Sequence, residues 1–337
     1  MPSAEIEVLL APIAPENPCG ADLEYGDPGF AELERSVQGK PEQQIGNTVV
    51  PAADPDWKAV ERQATQLLRR TKDLRASVHL TNALLHTRGL KGFTDGIGLL
   101  DKLVESYWEG LHPRLDPDDG HDPTMRVNIL ASLAAPPVLA AVRATPMVVS
   151  RTLGTFALKD IETAVEGGGA SGNGEKAAST VIAAAMDCDL VSLQETVATT
   201  RDCMQQLAAL ETAVSARVDA AHAPSFGKLA ALLHMADSFL GGKLAERTPG
   251  AAVGANGDAA TGSPGAASVS GQINSREDVI RALDRIAAYY TRHEPSSPIP
   301  LFMERCKKMV MMSFVDIVKE LVPDALSQVE VLKGRSE

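Results

Sequence analysis

Residues 275–310 read SREDVIRALDRIAAYYTRHEPSSPIPLFMERCKKMV, two apolar-rich segments on either side of a proline-rich hinge. Val279, Leu283, Ile286 and Tyr290 recur at helical spacing with Ile280 and Ala287 beside them, which predicts a helix with one wide apolar face. Ser275 suits the N-cap, and Asp278 follows three residues later. Pro295, Pro298 and Pro300 lack a backbone N–H and fix their own φ, so this helix must end near His293. Beyond the hinge, Leu301, Phe302, Met303, Met309, Val310, Met311 and Met312 crowd a second short helix with apolar side chains. Ser313 and Asp316 then cap a helix carrying Phe314, Ile317, Val318 and Leu321, and Pro323 starts a last one that ends at Gly334. So small a helical module buries too little surface to be comfortably stable alone. We therefore expect copies of it to pack on one another, with Phe302, Met309, Val310, Met312 and Phe314 as candidate oligomer-interface residues.

Upstream, residues 247–274 are Gly, Ala, Ser and Pro with hardly a large apolar side chain, the composition of a disordered tether. As a random coil it reaches roughly 30 Å. Residues 177–246 carry two helical stripes, one through Leu190, Leu193, Val197, Met204, Leu207, Leu210 and Val214 and one through Phe226, Leu229, Leu233 and Ala236. They predict a small middle helical domain. Residues 167–176, with Gly167-Gly-Gly-Ala-Ser-Gly172, read as a flexible linker.

Residues 1–166 read as a first helical domain. Asp27-Pro28 and Asp54-Pro55 are helix starts, and Gly39 to Ala53 between them reads as a loop. Leu74 to Leu85 marks a helix that stops at Gly89, and Phe93 to Trp108 marks the next. Trp57 and Trp108 lie on apolar stripes, so both are expected in the core. Val148 to Phe156 is a candidate short strand or hairpin before a helix from about Lys159 to Val165. The fold class expected is all-α: an N-terminal helical domain, a small middle one and a C-terminal oligomerisation domain at 275–337, joined by flexible linkers.

Composition narrows the function. The net charge of −12 argues against nucleic acid or anionic lipid as a partner. No stretch reads as a membrane span of about twenty apolar residues. The N-terminus has no basic region before its apolar run, so no signal peptide is expected. Cys19, Cys188, Cys203 and Cys306 have neither Cys-x-x-Cys spacing nor disulfide density, which suits a cytoplasmic chain.

Three patterns invite chemistry, and each has a plainer reading. Residues 167–172 match G-x-G-x-x-G, but a helix precedes them and no strand does, so no dinucleotide site is expected. Asp116, Asp118, Asp119 and Asp122 break the spacing of a calcium loop and read as a solvated turn. His79 and His86 stand two helical turns apart, too far to share a metal. No catalytic, cofactor or metal site is expected. An assembly protein, a general helical adaptor and an enzyme with an unrecognised helical site remain the readings of the residues.

Two regions resemble one family. Pro15-Glu-Asn-Pro-Cys-Gly-Ala-Asp-Leu-Glu-Tyr25, Asp56-Trp57, Lys72-Asp-Leu-Arg75, Tyr107-Trp108, Leu111-His-Pro113 and Arg126-Val-Asn-Ile-Leu130 resemble the ImpA N-terminal domain. Ser275-Arg276, Tyr289-Tyr290 and Glu294-Pro-Ser-Ser-Pro-Ile-Pro300 resemble the C-terminal domain of TssA proteins of the bacterial type VI secretion system. The resemblance implies a cytoplasmic, non-enzymatic component of a contractile injection machine, of the short form. It implies a ring-like homo-oligomer built through the C-terminal domain, in contact with baseplate, sheath and tube proteins and active in starting or coordinating their assembly.

Overall fold

The computed structural model describes residues 4–40, 43–45, 48–51, 53–166, 173–218, 223–248, 276–293, 298–310 and 312. The chain divides into two units, Met1–Gly257 and Asp258–Glu337. It is mostly helical, as the sequence predicts.

In the first unit, α1 is Ala4–Leu10 and α2 is Pro28–Val37. Asp27 accepts from the Gly29 N–H, Pro28 fills the first turn, and Phe30 and Leu33 are buried. α3 is Trp57–Leu68, and its cap is Asp56 rather than Asp54, with Oδ1 accepting from Ala59 N at 3.1 Å. The expected loop between these helices contains a small antiparallel hairpin, β1 (Gln43–Ile45) on β2 (Thr48–Val50). Lys40 and Ala53 extend its pairing by exchanging two backbone hydrogen bonds of 2.9 Å. Turn-forming residues around the strands obscure these short β-forming runs in the sequence.

α4, Leu74–Tyr107, is one run of helix broken at Gly89, whose φ of 66° and ψ of −151° only glycine adopts readily. The second half returns beside the first: a Cβ on Gly96 would stand 2.6 Å from Thr81 Oγ1. Gly96 to Asp101 are buried without interruption, so this helix is covered on every side.

α5 (Thr124–Ala131) and α6 (Pro136–Ala144) follow, joined by a 3-10 turn. Together they form a 21-residue stretch long and apolar enough to cross a membrane by composition, which corrects the expectation that the chain has none. Here Pro136-Pro137 divides it, and Val127, Leu130, Leu133, Val138, Leu139 and Val142 are buried. The hairpin β3 (Pro146–Ser150) and β4 (Gly154–Ala157) then leads into α7 (Leu158–Glu166), as expected.

The middle helices are α8 (Asn173–Asp187), α9 (Leu190–Ser215) and α10 (Gly227–Arg247). Residues 173–176 are helical rather than linker, while 167–172 lie outside the described residues. α9 packs along α4, and α10 packs on α9, α7 and α8. One continuous core runs from Ile6 to Leu240. The expectation of a separate middle domain at 177–246 is therefore corrected. A helix buried all round over Gly96 to Asp101 needs cover on its outer face, and α9, which packs along α4, supplies it with Leu193, Val197, Cys203, Leu207 and Leu210 buried.

Trp108 is buried as expected, but Trp57 is only half-buried and lies flat on His86, with ring centroids 4.0 Å apart. The second unit contains α11 (Arg276–His293) packed against α12 (Ile299–Val310). The end of α11 agrees with the expected stop at His293. The tether at 249–274, the Ser275 cap, the helices expected beyond Ser313 and the candidate residue Phe314 lie outside the described residues.

Candidate assembly surface and the buried polar knot

The residues singled out for self-assembly sit on α12. Phe302, Cys306, Met309 and Val310 fall at i, i+4, i+7 and i+8, one stripe of the helix. Phe302 is 58% exposed, Leu301 beside it is 77% exposed, and Ile286 on α11 is 44% exposed. Met309, Val310 and Met312 are half-buried. Among the described residues of this unit, none is fully buried. The two helices hold each other partly through Lys307, whose Nζ donates to Asp284 Oδ1 and Glu304 Oε1. The structure thus brings Phe302, Met309 and Val310 onto one face, exposed at Phe302 and half-buried at Met309 and Val310.

The first unit gathers the other singled-out pieces of sequence into a single place. Residues 13–25, 71–75, 107–113 and Arg126 are far apart in the chain and meet in a buried polar knot. The Lys72 backbone N–H donates to Cys19 O, and the Lys72 carbonyl accepts from His112 N. The His112 carbonyl in turn accepts from Leu74 N, and its Nε2 lies 3.2 Å from Gly20 O. Gly20 has φ 73°, and any Cβ there would stand 2.2 Å from Arg70 O. Lys72 Nζ donates to Leu9 O at 2.5 Å, and Tyr107 OH to Leu10 O at 2.6 Å, which ties down the end of α1.

Arg126 completes the knot. It is 1% exposed and donates through Nε to Pro113 O, through Nη1 to Trp108 O and through Nη2 to Leu111 O, at 2.5–2.8 Å. Its guanidinium also lies 4.7 Å over the Trp108 ring. The planar fork of five donors suits three carbonyls of one turn in a way that an ammonium does not. Asp73 caps α4 by accepting from Arg75 N and Ala76 N, and burial raises its pKa. These charges serve the backbone, so the knot is a clasp for the extended N-terminal segment. In the sequence, nothing beside Lys72 or Arg126 displays this role directly. The available signal is a cation at a core position of an otherwise apolar helix, as in TMRVNILA.

Burial sets the protonation of the two cations. It pulls Arg126 down to about 10, so it stays charged at neutral pH. It pulls Lys72 from 10.5 down to about 8, opposed by the nearby Cys19. The folded state therefore releases the Lys72 proton near pH 8, while the unfolded chain holds it to about 10.5. The unfolded state binds more protons in that window, so this lysine's contribution to stability rises with pH from 8 to 10.5. Below pH 8 its burial penalty is fully present. Urea melts of the wild type and Lys72→Met at neutral pH and near pH 10 check this. The stability of the wild type relative to the variant should increase with pH, and a constant difference would contradict it.

The acidic loop is a capped turn. Asp116 Oδ1 accepts from Asp118 N, and Asp122 Oδ1 accepts from both the backbone N–H and the hydroxyl of Thr124.

Comparison with known proteins places this arrangement. Residues 10–135 match a family described as ImpA, N-terminal, type VI secretion system. The chain is 39% identical over 345 residues to the type VI secretion system component TssA1 of Pseudomonas aeruginosa, an alignment covering 98% of each. A solved structure of the N-terminal domain, including the conserved ImpA_N region, of the TssA component of the type VI secretion system from Burkholderia cenocepacia is similar at a TM-score of 0.57. It is 24% identical and covers 73% of this chain and 98% of that one, a likeness of fold.

Proposed function

Because this chain belongs to the TssA family of type VI secretion system components, we propose that it is a structural, ring-forming part of that machine. Its C-terminal unit joins copies of the chain, and its N-terminal unit is displayed from the assembly. The ring works in the cytoplasm, contacts baseplate and sheath or tube proteins, and helps start or coordinate their polymerisation. It acts as a scaffold rather than an enzyme and needs no cofactor.

The observation that carries this reading is the state of α11 and α12. Both helices bear apolar stripes, yet none of their described residues is fully buried. Apolar surface left open on a helix pair is what association covers. The net charge of −12 supports a protein partner over a nucleic acid or an anionic membrane.

The test of the partner reading uses purified full-length chain and immobilised baseplate, sheath and tube proteins from the same secretion cluster. At least one of them should retain the chain at physiological salt. Retention by none of them would contradict the proposal.

A further inference from the structure

The first unit carries a groove of about 800 Å³ between α1, α3 and the first half of α4. Its floor is apolar: Ile6 and Leu9 come from α1, Leu80 and Leu84 from α4, and all are buried side chains at the edge of the core. Val8 stands at its rim, 60% exposed. The opposite rim is cationic. Lys58, Arg62 and Arg69 follow one another at i, i+4 and i+11 along one stripe of α3 and its C-cap. All three are exposed, and among the described residues none of them makes an ion pair or a side-chain hydrogen bond. Glu61 is the one carboxylate lining the groove among the described residues, and it is already engaged. It accepts from the Thr87 hydroxyl at 2.7 Å and from Arg88 at 2.5 Å.

On a chain of net charge −12, a rim with three uncompensated cations is a local inversion of sign. We propose that this groove docks an acidic, apolar-bearing segment of a partner protein, about three helical turns long. The length follows from the rim, since Lys58 to Arg69 spans eleven residues at a rise of about 1.5 Å each. The class of partner follows from combining the two surfaces. Cations along one side recognise carboxylates, and an apolar floor takes side chains from the other face of the same segment. A nucleic acid has no apolar face for that floor, and the rest of the chain repels it. This inference does not depend on how copies of the chain assemble.

The test is a selection from a displayed library of random 14-residue peptides on the full-length protein, followed by fluorescence anisotropy with the labelled winners. Winners should combine Asp or Glu with Leu, Ile or Phe, and their binding should weaken as salt rises. The double variant Arg62→Glu/Arg69→Glu should bind them at least about tenfold more weakly, and Val8→Asp should weaken them too. Both changes are at exposed positions, and circular dichroism and thermal melting confirm that the fold is kept. Winners without acidic residues, or winners that bind Arg62→Glu/Arg69→Glu as well as the wild type, would overturn the proposal. So would competition by duplex DNA at equal concentration. Displacement by a peptide of residues 313–337 would assign the groove to the chain's own tail and equally overturn the partner reading.

Discussion

Replacing Arg126 by Leu should destabilise the first unit by about 3–5 kcal/mol, enough to unfold a marginal domain. The cost does not come from a lost ion pair. It comes from Trp108, Leu111 and Pro113, whose carbonyls all accept from this one side chain inside the protein. Leucine fills part of the space, but it leaves these acceptors without a donor, at about 1–3 kcal/mol for each one that stays dry. The cation over the Trp108 ring is lost as well. Arg126→Lys keeps the charge but has no planar fork to reach three carbonyls, so it should recover less than half of the loss. Trp108→Ala should also be severe, at about 3–5 kcal/mol. The double variant should cost less than the sum of the two, because each single change already breaks the shared contact. Urea denaturation with a fitted slope decides the matter. A midpoint for Arg126→Leu equal to that of the wild type would mean that water replaces the guanidinium.

The second large effect is expected on assembly. Leu301→Glu together with Phe302→Glu should convert the assembled protein into monomers while leaving α11 and α12 folded. Among the described residues of the second unit these two side chains are the most exposed large apolar groups, so charge there is tolerated by the isolated unit. A carboxylate facing an apolar subunit contact has no such tolerance, because it must be desolvated without a partner. Met309→Glu is less informative: Met309 is half-buried, so a loss of assembly would be mixed with a loss of packing. Sedimentation of the double variant at micromolar concentration reads the outcome, with far-ultraviolet circular dichroism reporting the helices.

Local rules carried much of this fold. Asp27-Pro28 starts α2 through a side-chain cap, Gly89 breaks the long helix because its φ is positive, and the prolines after His293 stop α11. Each is a property of one or two residues, and a sequence displays it directly. What the sequence hid depends on distant partners. The Gly-rich run at 167–172 looks like a domain boundary, but whether α9 belongs to the first core depends on how fully α4 must be covered, and only packing reveals that. Arg126 reads as an ordinary polar position until the carbonyls of 108–113 are seen to converge on it. The β1–β2 hairpin is too short to stand out among its turn formers. Trp57 is half-buried rather than in the core, because a helical stripe fixes a side chain's direction and not its depth; His86 stacks on its ring instead. On α12 the apolar stripe was legible, since the spacing of Phe302, Met309 and Val310 is purely local. The surface that covers this stripe is not.

In the proposed assembly the second unit joins copies of this chain and the first does not. Native mass measurement of the full-length protein, beside residues 1–257 alone, tests it most directly. The full chain should give one closed particle with a whole number of subunits, since a self-complementary or ring-closing contact saturates where an open one runs into filaments. Residues 1–257, with their own core, should be monomeric. A monomeric full-length protein, or a large particle formed by residues 1–257, would contradict the account.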